Sequence, residues 1–283
     1  MKPGGGVLAS AAPALPLAAF FTVAYLLPVA VLAAVSALTA LRGGHWTVAN
    51  YSTFLGDAYH LSILGDTLLL GLQVTLVTLL IAYPLGLAYL RAGPRVRTLL
   101  LFLILLPLLT NTVVRTFAWM AILGREGVIN AWLVGVGLTD GPQRLLYTRP
   151  WLVVALAQIY LPLMALPLNN SLAKIDANLM KASEGLGASR AFTFRTVILP
   201  LSMPGAVAGG LLVFAGSTTA FITQTLVGGG RQLFMPLHIY QQAIGVQKWT
   251  FAAAISVIFA IAVMGLVYLV NRAARERMRG VDA

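Results

Sequence analysis

The chain has 283 residues, 59% of them hydrophobic and only 10% charged, with a mean hydropathy of +0.88. A soluble domain carries about 25% charged residues, so the composition excludes a solvated globular surface and defines an integral membrane protein. The absence of cysteine excludes a disulfide framework and a thiolate metal site. The net charge of +11 would suit nucleic acid, but the basic residues fall in the gaps between apolar runs, which is the pattern of a membrane topology.

Six charge-poor runs predict an all-α integral membrane protein with six transmembrane helices. Each is close to the ~20 residues a bilayer crossing needs, and a helix satisfies its own backbone in lipid. Residues 1–13 form an N-terminal leader, and 14–271 the membrane domain. The first helix, 14–38, is longer than the roughly 7–15 residues of a signal-peptide core, which predicts an uncleaved span. An outer segment follows, with "HWTVANYSTFLGDAYH" at 45–60. The second helix, 67–90, holds Gln73 and Pro84, and the tight basic turn "RAGPRVR" makes the third helix, 98–121, its neighbour. Drawn straight from Thr98, that helix carries Arg115 roughly 26 Å along its axis, near the outer boundary. The stretch "AWMAILGREGVINAWLVGVGL" predicts a short interfacial helix after a turn at Gly124–Gly127. The remaining spans are 150–173, 204–227 and 251–270, with a loop at 174–200 and a basic tail at 272–283. Six spans put both termini on one side, where 12 of the 19 Lys and Arg residues then lie, so that side is cytoplasmic.

The sequence offers no chemistry of its own. It has no phosphate-cradling G-x-x-x-x-G-K-[ST] loop, and "GGGR" at 228–231 lacks the Lys and the following helix. Paired carboxylates, a Ser-His-Asp pattern and HExxH are missing. His45, His60 and His238 are scattered, which predicts hydrogen bonding or solvation before metal binding. The expectation is a chain that is no enzyme and binds no metal or cofactor.

The most polar block in the second half is "KASEGLGASRAFTFRTVILPL", 181–201. Asp176 is placed to cap a short helix, Gly187 to end it in the left-handed conformation, and Ser189 to cap a second. Leu199-Pro200 then opens the fifth span. The result is a helix–turn–helix knob that shows apolar side chains, although composition alone equally suits an amphipathic linker on the inner leaflet. Spacing separates the two. The block resembles the cytoplasmic "EAA" loop of permease subunits of binding-protein-dependent ABC importers: Glu-Ala-Ala, three residues, Gly, nine residues, Ile-x-Leu-Pro. Here Lys181-Ala182-Ser183 is followed after three residues by Gly187, and after nine more by Val197-Ile198-Leu199-Pro200. Lys181 replaces the usual Glu and Ser183 the second Ala, with Glu184, one turn along from Lys181, as the candidate substitute for the Glu.

Further segments, "NTVVRTFAWMAILGREGVINAWL", "YLPLMALPLNNSLAKIDANL" and "PGAVAGGLLVFAGSTTAFITQTLVGG", look like the spermidine/putrescine-type permeases, so the resemblance spans about 45–271. It implies a type I ABC importer permease (MetI-like) fold in a bacterial inner membrane. It also implies a second, homologous permease chain, two cytoplasmic ATPase subunits holding ATP and Mg, and a periplasmic solute-binding protein. The coupling residues it implies are Lys181, Ala182, Ser183, Glu184, Gly187, Ala188, Ser189, Phe192, Leu199 and Pro200. The solute it implies is a polyamine or similar small polar compound, with organic phosphonate, opine and ferric iron as alternatives.

Polar residues on apolar helices usually face a cavity or another helix. Candidates for the pathway are Asn111, Arg115, Gln158, Tyr160, Ser217, Thr218, Thr219 and Gln224. For each Ser and Thr, interhelical hydrogen bonding explains the residue as well as solute contact does. An ion-driven secondary transporter is the rival class; it would show mid-helix charges or paired broken helices, and spans one, two, four, five and six carry no central charge.

Overall fold

The computed structural model describes residues 15–41, 43–230 and 232–279. The leader at 1–13 and the last four residues of the tail lie outside that set. The helices are α1 (Leu15–Ser36), α2 (Ala49–Gly56), α3 (Ala58–Arg91), α4 (Pro94–Leu109), α5 (Thr112–Leu123), α6 (Val128–Gly135) and α7 (Arg149–Leu172). They continue with α8 (Ala177–Gly185), α9 (Arg190–Thr193), α10 (Leu199–Thr218), α11 (Phe221–Gly228), α12 (Met235–Tyr240) and α13 (Trp249–Arg279). Among the described residues five stretches are long and apolar enough to cross a membrane, and α4 together with the α5–α6 stretch meets the same criterion as a pair bent by 103°.

The chain divides into two compact units, Met1–Leu61 with Ile239–Ile261, and Ser62–His238 with Ala262–Ala283. In the first, α1 exposes its apolar side chains all round, Phe20 and Tyr25 among them. Asn50 closes the C-terminus of α1 by donating to the carbonyls of Ser36 (3.0 Å) and Leu38 (2.9 Å), the role a capping side chain has at a helix end. Phe54 is fully buried and stacks on His60 at 5.4 Å, while Phe251 meets the same imidazole at 5.3 Å.

In the second unit α7 is the central pillar, with Leu152, Leu156, Met164 and Leu168 inaccessible. Helix α10 lies along it. Apolar surface gives helices no reason to associate in lipid, so close packing must supply it. Small residues permit that approach: a Cβ on Gly209 would stand 2.9 Å from Met164 Cα, and one on Gly205 2.7 Å from Ser171 Cβ. At one end of α7, Arg149 donates to Asp66 Oδ1 and to Gln73 Oε1, both at 2.9 Å.

Four spans differ from the sequence expectation. Helix α3 begins at Ala58 instead of 67 and carries Asp66 within it, where the ion pair to Arg149 compensates the charge. The third span does not run straight over 98–121. It breaks at Thr110 and Asn111, whose backbones are extended, and Asn111 caps α5 by accepting from Val113 N at 2.8 Å. The axial reckoning for Arg115 therefore fails, because the helix it assumed turns by 103° before reaching that residue. The fifth span is helical from Arg190 and breaks at 219–220 instead of continuing to 227. The sixth helix extends to Arg279, past the expected end at 270.

Candidate coupling and translocation site

The knob at 176–200 is built from local signals. Asp176 Oδ1 accepts from Asn178 N at 2.8 Å and starts α8. Gly187 has φ +79° and is followed by a bond from Ala188 N to Ser183 O at 3.1 Å. That six-to-one closure is a Schellman turn, which needs a left-handed residue and so favours Gly. Ser189 Oγ accepts from Phe192 N at 3.3 Å and caps α9. The hydroxyls of Ser183 and Thr193 meet at 2.8 Å, pinning α8 to α9. Ser183, a departure from the family's Ala, thus has a physical role that only the folded knob reveals. Ala182 precedes Ser183, and Ala188 lies in the turn between the two clamped residues; Lys181 and Glu184 lie on α8, and their side chains are outside the described set.

Beyond α9 the helix widens over Phe194–Ile198, where Leu199 N bonds to Phe194 O. Pro200 explains this: it has no N–H to donate, and its ring crowds the preceding turn. The sequence predicts a knob that shows its apolar side chains, and the structure separates Phe192 from Phe194. Leu179, Leu186 and Phe192 are exposed, Leu186 at 89%. Phe194 turns inward and meets the Tyr83 ring edge-on at 5.7 Å. Tyr83 Oη is 2.9 Å from Ser202 Oγ, which also donates to Ile198 O at 2.7 Å. Tyr83 was missed because a lone Tyr beside Pro84 in an apolar run carries no local signal.

The polar residues proposed from sequence for a pathway gather around two helix breaks. The first is at Thr110–Asn111. Arg115 Nη2 reaches back to Thr110 O at 3.3 Å and Thr112 Oγ1 at 3.4 Å, so the guanidinium closes the end of α4, where a cation meets the negative end of the helix dipole. Its Nε and Nη1 are buried without a hydrogen-bond partner, and Tyr160 lies within electrostatic reach. The second break is an inverse γ-turn at Ala220 (φ −73°, ψ 61°), closed by Phe221 N to Thr219 O at 2.8 Å. Ser217, Thr218 and Thr219 all bond back to carbonyls of α10, a competition that weakens helical continuity. Gln224 then covers the exposed helix end, donating to Ser217 O at 2.7 Å and Thr218 O at 3.1 Å.

The two broken spans meet each other. Thr116 Oγ1 on α5 and Thr223 Oγ1 on α11 are 3.0 Å apart and buried. Trp119 Nε1 donates to Gln158 Oε1 on α7 at 3.2 Å, and a Cβ on Gly216 would stand 2.6 Å from the Tyr160 ring. Asn111 and Thr219 are exposed, Arg115, Gln158 and Tyr160 partly buried, and Ser217, Thr218 and Gln224 buried. The eight candidates are thus one neighbourhood with two duties, helix capping and a polar surface. Paired broken helices were expected of an ion-driven transporter; here they occur in a chain whose fold is that of another class.

Residues 79–276 match the family described as binding-protein-dependent transport system inner membrane component. The chain is 36% identical over 238 residues to the spermidine/putrescine transport system permease protein PotB of Escherichia coli (strain K12), covering 84% of this chain and 86% of that one. It is 32% identical over 236 residues to the PotB of Haemophilus influenzae, covering 83% and 82%. Its fold matches a chain in the crystal structure of a bacterial ABC transporter involved in the import of the acidic polysaccharide alginate, with a TM-score of 0.74, 17% identity and 94% of each chain covered. The chain belongs to the family of inner membrane components of binding-protein-dependent transport systems. It is a multi-pass permease subunit of an ABC importer, a transport component and not an enzyme.

Proposed function

We propose that this permease forms half of a solute pathway opened and closed by cytoplasmic ATPase subunits that grip the 176–200 knob. The carrying observation is the knob's two-sided construction. Its helices are clamped to each other by Ser183 and Thr193 and tied to α3 through Phe194 and Tyr83, while Leu179, Leu186 and Phe192 stay uncovered. A stiff element with an apolar tip and a firm root transmits displacement to the helix that continues from it, 190–218. Closure of the ATPases would then favour one permease conformation through contacts made better in that state than in the other. ATP and Mg belong to those subunits, and the hydrolysis is theirs.

In this reading the knob, both termini and the 91–97 turn are cytoplasmic. A second permease chain completes the pore, and a periplasmic binding protein delivers the solute. The pathway runs past the two helix breaks, with Asn111, Arg115, Gln158, Tyr160 and Thr219 on its surface and Ser217, Thr218 and Gln224 supporting them. The solute is a polyamine or a similar small polar compound, a reading supported by the names of the two permeases described above. Asp66 is already paired with Arg149, so recognition of a polycation rests mainly with the binding protein.

The test is Gly187→Trp in the complete system. A side chain at φ +79° strains the turn, while a Cβ there would meet no other part of the chain within 4 Å, so the spans are left undisturbed. Uptake of labelled spermidine should be lost at normal membrane abundance; normal uptake would refute the knob's role. Uptake of other solutes by the unaltered system, with spermidine ignored, would refute the solute class alone.

A further inference from the structure

Asn169 has no role in the account so far. It lies on α7, 6% exposed, and neither Oδ1 nor Nδ2 has a hydrogen-bond partner. Burying an amide unpaired is costly, and leucine has the same branched outline on an apolar helix without that penalty. The amide abuts α3 so closely that a Cβ on Gly86 would stand 2.9 Å from Oδ1.

Two hydroxyls occupy the same three-helix junction. Tyr83 precedes Gly86 by one turn of α3, and Ser202 precedes Gly205 by one turn of α10, so each pair shares a helix face. Gly205 in turn meets Pro167 and Ser171, so α3 and α10 both pack against the same end of α7. In the packing observed, Tyr83 and Ser202 satisfy each other at 2.9 Å and Ser202 also reaches Ile198 O. Asn169, on the third helix of this junction, is left without a partner.

We propose that Asn169 is a positioning residue of the transport cycle. Its amide is unpaired in this packing and takes the hydroxyls of Tyr83 and Ser202 as partners when the 190–218 helix is displaced along α7. A group unpaired in one state and paired in the other is a differential contact, and only differential contacts move a conformational equilibrium. Asn169 therefore stabilises the second packing against the first. This rests on the reading that the knob drives that helix.

The experiment compares Asn169→Leu with the unaltered chain in the assembled transporter in lipid nanodiscs and proteoliposomes. Removing the unpaired amide should raise the thermal unfolding midpoint and lower uptake about tenfold, the population change that one buried pairing commands. Adding Tyr83→Phe should cost the leucine variant nothing more, because the two act through one bond. Unchanged uptake, a lowered midpoint, as for an amide already satisfied by bound water, or additive losses would each overturn the proposal. Should the leucine variant fail to assemble, Asn169→Thr and Asn169→Val share a shape and differ in one hydroxyl. The threonine form should transport and the valine form should not; equal uptake overturns the proposal. Gly187→Trp in the same preparation reports on the knob by its own uptake, so the two failures are read from different variants.

Discussion

The knob and the paired helix breaks are both polar islands in a greasy chain, and they are made in opposite ways. Between Asp176 and Thr193 the polar groups close on one another within a short stretch: a cap, a Schellman turn, a second cap and a hydroxyl clamp. At the breaks, Arg115 and Gln224 bend back to cover carbonyls of the preceding half-helix, and Thr116 finds Thr223 from 107 positions away. Even so, Arg115 keeps two buried nitrogens and Gln224 one oxygen unpaired. A self-satisfied element moves as a rigid body. A junction with spare hydrogen-bonding capacity has reason to adopt a second arrangement, because its polar groups gain partners there.

Four substitutions probe that contrast. Gly205→Val attacks the α7–α10 contact on which both regions stand; overpacking a site 2.7 Å from Ser171 Cβ should cost about 3 kcal/mol, read as lost monodisperse protein and a lower unfolding midpoint. Gln224→Leu strikes the breaks alone. It removes the side-chain donor that covers the Ser217 and Thr218 carbonyls and should cost about 2 kcal/mol in the same assay, with the knob still recognised by its partner. Gly187→Ala strains the left-handed turn by about 1 kcal/mol; it should reduce uptake before it reduces membrane abundance. Ser183→Ala restores the family's usual residue and removes only the clamp to Thr193, an effect of about 0.5–1 kcal/mol that should loosen the knob to proteolysis and leave the spans intact. If Ser183→Ala proved more damaging than Gln224→Leu, the contrast would be reversed.

How legible each region was follows from its construction. The caps at Asp176 and Ser189 and the turn at Gly187 obey rules that act over three to six residues, so the sequence displayed them. The breaks did not show, because Ser217-Thr218-Thr219 in an apolar run reads as helix, and Pro107 precedes the bend at 110–111 by a full turn. The usable hint was Thr110-Asn111-Thr112, an N-cap signal inside a run taken as continuous. The outlying ends of α3 and α13 were hidden by charges: Asp66 finds Arg149 only in the fold, and Arg272 pairs with Glu276 one turn further along α13. Phe194 could not be told from Phe192 as the inward ring, since its partner Tyr83 lies far away in sequence.

The central claim is that the knob's exposed tip is held by a nucleotide-hydrolysing subunit. The chain has no cysteine, so Leu186→Cys places a single thiol at the most exposed apolar position of that tip. Cross-linking in native membranes should join residue 186 to an ATPase subunit in a nucleotide-dependent yield. No such product from position 186, in a transporter that still takes up solute, would contradict the account.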